Sequence, residues 1–205
     1  MKRHKSVGLL SFTLISAFLG LFIVSGCSDY YQPKPRGYFR IYLPQKEYTT
    51  DSTLILPYSF EQPVYARLVK DPHPMAEDYW TNLDFPAYKA KVHLSYKPVN
   101  GNLAALLDDA HKLVNKHIPK ANAINENVYI DNTHHVYGIT YSIKGVDAAS
   151  PFQFYLTDST RHFLRGALYF DVRPNNDSLA PVIDFIDNDI RHMIETFRWK
   201  KIDNK

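Results

Sequence analysis

The sequence predicts an α+β domain: an antiparallel sheet covered by two helices, after a proline-rich, extended N-terminal half. Three observations carry that expectation. Nine of the 13 prolines fall between Pro33 and Pro98, which leaves little room for helix there. Strand-period alternation marks residues 89–96, 135–144, 152–156 and 164–172. Helix-period stripes occupy about residues 102–117 and 178–199.

In chain order, Tyr38-Phe39-Arg40-Ile41-Tyr42 reads as a strand and Asp71-Pro72-His73-Pro74 as a surface loop. Ala90, Val92, Leu94 and Tyr96 face one way, and Lys89, Lys91, His93 and Ser95 the other, giving a strand with one wet face. The period then changes. Leu103, Leu106, Leu107, Ala110, Leu113 and Val114 recur at helical spacing, with Asn102 to cap the start and Pro119 to stop it.

Three strands follow. Tyr137, Ile139, Tyr141 and Ile143 share a face of the first. Phe152, Phe154 and Leu156 line the second, and Leu164, Leu168, Phe170 and Val172 the third. Their short connections favour a meander. The last helix carries the stripe Val182, Ile183, Ile186, Ile190, Met193, Ile194 and Phe197. Asp177 or Ser178 is its expected cap, and Pro181 is expected in its first turn. Both helices are expected on one face of the sheet. The pattern resembles, at the level of fold alone, the photosystem lumen protein PsbP.

A separate signal occupies the start of the chain. Lys2, Arg3 and Lys5 precede an apolar run over residues 7–24, diluted by Gly8, Ser11, Ser16 and Gly20 and too short to span a membrane well. Val24-Ser25-Gly26-Cys27 follows, and Cys27 is the only cysteine. An aliphatic and two small residues before a cysteine resemble the lipobox of bacterial lipoproteins. The resemblance implies cleavage before Cys27, a diacylglycerol on its thiol and an acylated new amino terminus. Each buried methylene adds about 0.8 kcal/mol of membrane affinity, and two or more chains anchor stably where one does not. The expected organisation is a signal peptide over residues 1–26, a lipidated tether over 27–37 and a single α+β domain over 38–205.

Processing changes the meaning of charge and cysteine. Losing Lys2, Arg3 and Lys5 brings the 24 basic residues to 21, level with the 21 acidic ones. A neutral chain with interspersed signs has no electrostatic footprint for phosphate backbones, so nucleic acid is excluded as the main partner. With Cys27 acylated, no thiol is left for a disulfide, a thiolate metal site or a nucleophile. Removing 26 of 205 residues leaves 179. A domain of that size buries roughly 70% of its unfolded surface.

Catalytic and metal motifs are weak. His111 and His117 sit on different faces of their helix, and the rings of His134 and His135 would point to opposite sides of a strand. Asp158-Ser159-Thr160-Arg161-His162 holds the residue types of a hydrolase triad, but so tight a cluster suits turn hydrogen bonds better. Asp184, Asp187, Asp189 and Glu195 read as the wet side of the last helix. No catalytic residue, metal or cofactor is expected. The sharper segment is residues 33–40, where Pro33 and Pro35 stiffen the chain toward polyproline II. Lys34, Arg36 and Arg40 add charge there, and Tyr38 an amphipathic ring. A partner-binding site and a basic tether near lipid head groups remain equal readings of it.

Pro33-Lys34-Pro35-Arg36-Gly37-Tyr38, Leu94-Ser95-Tyr96-Lys97-Pro98-Val99, Val136-Tyr137-Gly138 and Ala148-Ala149-Ser150 stand in a particular order and spacing. So do Gln153-Phe154-Tyr155-Leu156-Thr157-Asp158-Ser159, Leu168-Tyr169-Phe170, Arg173-Pro174-Asn175 and Arg198-Trp199-Lys200. Together they resemble the gliding-motility lipoprotein GldD family of the Bacteroidetes across the whole mature chain. That resemblance implies a non-enzymatic cell-envelope protein, anchored in the membrane by lipid and associated with envelope proteins of the gliding and type IX secretion machinery. Relatives often carry cysteine where this chain has Leu56 and Tyr79, which implies a disulfide lost here. Ser28-Asp29-Tyr30 has no run of acids after Cys27, which favours an outer-membrane protein facing the periplasm. The alternative is an envelope lipid- or glycan-binding carrier or hydrolase with a pocket between sheet and helices.

Overall fold

A computed structural model describes residues 41–201 of the chain. The elements are β1 (Tyr48–Thr50), β2 (Tyr58–Ser59), β3 (Glu61–Pro63), β4 (Arg67–Lys70), β5 (Thr81–Phe85) and β6 (Ala90–Pro98). They continue with α1 (Leu103–Asn115), β7 (Ala123–Asp131), β8 (Val136–Lys144), β9 (Phe152–Thr157), β10 (His162–Phe170), α2 (Asn176–Glu195) and β11 (Arg198–Trp199). The architecture is α+β, as the sequence predicts.

Seven strands form the main sheet in the order β4-β5-β6-β10-β9-β8-β7, every neighbouring pair antiparallel. It consists of two meanders, β4–β6 and β7–β10. Helix α1 carries the chain from the middle of the sheet to its far edge, and β10 then returns to pair with β6 from His162↔Pro98 to Phe170↔Ala90. Two short ribbons, β1 with β3 and β11 with β2, flank the sheet.

The helices cover opposite faces, which corrects the expectation that they share one. Directly opposed residues of an antiparallel pair point to the same side. Gly138 opposes Leu156 and Thr140 opposes Phe154, so Phe152, Phe154 and Leu156 lie on the side away from Ile139 and Tyr141. The first set joins Leu83, Val92, Leu94, Leu164 and Leu168 against the α2 stripe Val182, Ile186, Ile190, Met193 and Ile194. Tyr141, Ile143, Tyr155 and Phe163 instead pack with Ala110 and Val114 of α1. β9 is buried on both sides, so all six of its residues are buried, the polar Gln153 and Thr157 of its alternate face included. Gly166 on β10 lets the Phe154 ring approach closely, since an added Cβ would lie 2.1 Å from ring carbons.

Several boundaries differ from expectation. Strand β7 is absent from the sequence reading. It lies at the sheet edge, with Val128 72% and Ile130 63% exposed, so no burial pattern marks it. Ile41 and Tyr42 are not in a strand, and residues 38–40 lie outside the described residues. Val172 is exposed beyond β10. Asn102 precedes α1, but its Oδ1 accepts from the Asn100 amide instead of capping the helix. The cap of α2 is Asn175, whose Oδ1 accepts from the Ser178 amide at 3.4 Å. Pro181 therefore falls inside the helix, beyond its first turn. The helix stops at Glu195, and Trp199 pairs with Tyr58 in the β11–β2 ribbon.

Candidate functional site

Cys27 and the segment residues Lys34, Arg36, Tyr38 and Arg40 lie outside the described residues, as do the signal region and tether. What the structure shows is how the chain that follows them is fastened. Residues 41–50 run to β1, and Lys46 and Tyr48 both reach Asp189 of α2.

Asp189 is 0% exposed, which overturns its assignment to the wet face of the helix. Its Oδ1 accepts from Lys46 Nζ at 2.5 Å and from the Tyr48 hydroxyl at 2.9 Å, and its Oδ2 accepts from the Tyr65 hydroxyl at 2.7 Å. Lys46 Nζ also donates to the Phe185 carbonyl at 2.8 Å and sits 4.1 Å above the Phe185 ring. The Tyr48 ring stacks on His192 at 3.7 Å, and His192 Nε2 lies 2.7 Å from Glu61 Oε2 on β3. Burial first, then the bond to Asp189 and its negative charge, push the Tyr48 and Tyr65 hydroxyls well above the usual tyrosine range. Both hydroxyls therefore stay protonated and keep donating. The carboxylate spends its acceptors on three donors from two segments, the leading one and the loop that holds Tyr65, so it positions these segments against the helix.

The sequence held a signal for this. Asp189 falls three residues after Ile186 and four before Met193, inside the apolar stripe. A carboxylate there needs buried partners. The other acids of the helix divide: Asp184 and Glu195 are exposed, while Asp187 is half-buried with Arg191 Nε 3.2 Å from its Oδ1.

The 158–162 cluster is a turn. Asp158 Oδ1 accepts the amides of Thr160, Arg161 and His162 at 2.8–3.0 Å. Burial works against the Asp158 charge, but these amides hold its carboxyl below the usual range. His162 Nδ1 faces the Tyr96 hydroxyl at 2.8 Å, and its ring stacks on Trp199. Ser159 stands at a φ of 68°, and its amide donates to Thr157. His134 and His135 sit in the β7–β8 turn, not on a strand, with His134 Nδ1 2.6 Å from Asp131 Oδ2. His111 meets the Tyr141 hydroxyl at 3.3 Å. Among the described residues, no group of three or more His, Cys, Asp or Glu is placed to hold a metal ion.

A cleft of 610 Å³ lies between residues 53–56 and the β4–β5 loop, lined by Leu54, Leu56, Asp71, His73, Tyr79 and Trp80. It is not the sheet-to-helix pocket that a carrier would need. Leu56 and Tyr79, where the resemblance places cysteines, line it together.

Fold and site define a class: an antiparallel α+β domain whose leading segment is locked to its last helix by a buried carboxylate. The family model described as gliding motility lipoprotein GldD matches residues 28–199, and the chain belongs to that family. No curated protein matches it. Among solved structures it is similar to the solution structure of cyanobacterial PsbP (CyanoP) from Synechocystis sp. PCC 6803, at 11% identity and a TM-score of 0.45. That likeness covers 80% of this chain and 98% of the other.

Proposed function

We propose that this gliding motility lipoprotein is a non-enzymatic component of the gliding apparatus, associated with the type IX secretion machinery. Its signal peptide (1–26) is removed, Cys27 is acylated, and residues 27–37 tether a single domain (38–205) to the outer membrane, facing the periplasm. Lys34, Arg36, Tyr38 and Arg40 contact an envelope partner, and no cofactor is involved. The observation that carries this reading is the family match across residues 28–199.

The Asp189 lock supports it physically. Among the described residues, Lys46 and Tyr48 are the first along the chain whose side chains bond to α2. Tension on the tether therefore reaches the last helix through the Lys46–Asp189 ion pair and the Tyr48 hydroxyl bond.

The test is complementation with Arg36→Ala, Tyr38→Ala in a gliding host that lacks the gene. Truncating an interface anchor costs about 2 kcal/mol or more at a hot spot. The expected outcome is a stable, lipidated protein that fails to restore spreading. Full rescue would reduce residues 33–40 to a passive tether.

A further inference from the structure

The sheet face that carries α1 holds an arginine without a counter-ion. Arg165 lies on β10 and is half-buried. Among the described residues, no carboxylate oxygen comes within 4.0 Å of its nitrogens. Burial lowers its pKa, yet a guanidinium keeps its proton in a protein. Its Nη2 donates to Gln153 Oε1 on β9 at 2.5 Å. Gln153 is 1% exposed, and its remaining donor, Nε2, has no partner among the described residues.

A desolvated cation and an open buried amide donor sit side by side, and each alone is costly. One acceptor anion would answer both. The surroundings are suited to it. His93 on β6 shares a cross-strand row with Ala167 and Gln153, and its ring meets Tyr169 edge-on at 5.6 Å. His117 follows α1. Burial lowers the pKa of both imidazoles; the Arg165 charge adds to that at His117, whereas at His93 the Asp71 charge opposes it. Two carboxylates stand on the His93 side: Asp71 Oδ2 lies 4.0 Å from His93 Nδ1, and Asp84 is in register with Lys91 and Arg67, but neither comes within 4.0 Å of an Arg165 nitrogen.

We infer that Arg165 and Gln153 form an oxyanion site that takes a phosphate group, free or carried by a lipid headgroup. The guanidinium fork and the Gln153 amide together offer donors to more than two oxygens, which suits a phosphate better than a carboxylate. The inference goes beyond the anchor and motility roles and does not depend on them.

The experiment uses the lipidated full chain in detergent micelles, with inorganic phosphate added at constant ionic strength against chloride. Saturable binding and a rise in Tm are expected. Arg165→Met should weaken binding by about tenfold or more. Because that variant could disturb the sheet, Gln153→Glu is the second. It sets a carboxylate beside Arg165 and should raise Tm without phosphate while abolishing the phosphate response. Short-chain phosphatidylglycerol, titrated in parallel, identifies the source. Tighter binding than inorganic phosphate points to a headgroup, and the reverse to the free ion. No phosphate-dependent change in the wild type, or a Gln153→Glu response equal to it, overturns the site.

Discussion

Three donors from the leading segment and the following loop converge on Asp189, and their removal is the most informative change at the scale of one residue. Breaking one side of a buried ion pair costs about 3–5 kcal/mol, because the remaining charge loses its partner. Lys46→Met should approach the low end of that range, since the Lys46 side chain is 30% exposed. Urea melts measure it, and a loss within about ±0.5 kcal/mol, ordinary for a surface site, would contradict the lock. Asp187 behaves oppositely. Burial raises its pKa, against the pull of Arg191. A carboxyl whose folded pKa lies above the unfolded value favours the fold most at low pH, and that contribution fades as pH rises through the folded pKa. Asp187→Asn should therefore raise Tm at neutral pH relative to wild type, with the gap closing below the usual carboxylate range. A gap that widens on acidification would refute this. Neither behaviour is legible from charge alone: Asp184, Asp187, Asp189 and Glu195 look alike until the stripe shows that Asp189 must be inside.

Elements with a buried apolar face were the readable ones. β6 alternates because only one of its faces joins the α2 core, and α2 declares itself by Val182, Ile186, Ile190 and Met193. Ile190→Ala should cost about 2–5 kcal/mol by leaving a cavity. Val128→Thr on the exposed edge strand β7 should stay within about ±0.5 kcal/mol. Equal losses in denaturant melts would mean that the buried faces are misassigned. What escaped the sequence escaped for physical reasons. Asn125, Glu126 and Asn127 of β7 pair only through backbone, so no side-chain pattern records them. β8 and β9 each show an apolar set, but which side each set faces depends on register, and the register puts them on opposite sides of the sheet. The candidate partner segment was legible as chemistry, through its prolines and charges. The Asp189 lock needed distant segments to meet.

In the whole molecule, the fold of a gliding motility lipoprotein is held by its own leading segment. The proposed function requires that the domain work in gliding only when tied to the membrane through Cys27. Acylation contributes about 0.8 kcal/mol per buried methylene, so on the proposed function loss of the Cys27 thiol is expected to leave the folded domain without its anchor. The direct measurement is colony spreading and adhesin movement in a gliding host lacking the gene, complemented with wild type or with Cys27→Ser. Cellular protein level and fatty-acid labelling are followed in the same cells. The account predicts that wild type restores movement, while Cys27→Ser accumulates unlabelled and leaves the cells still. Restored gliding by an unlabelled Cys27→Ser protein would contradict it.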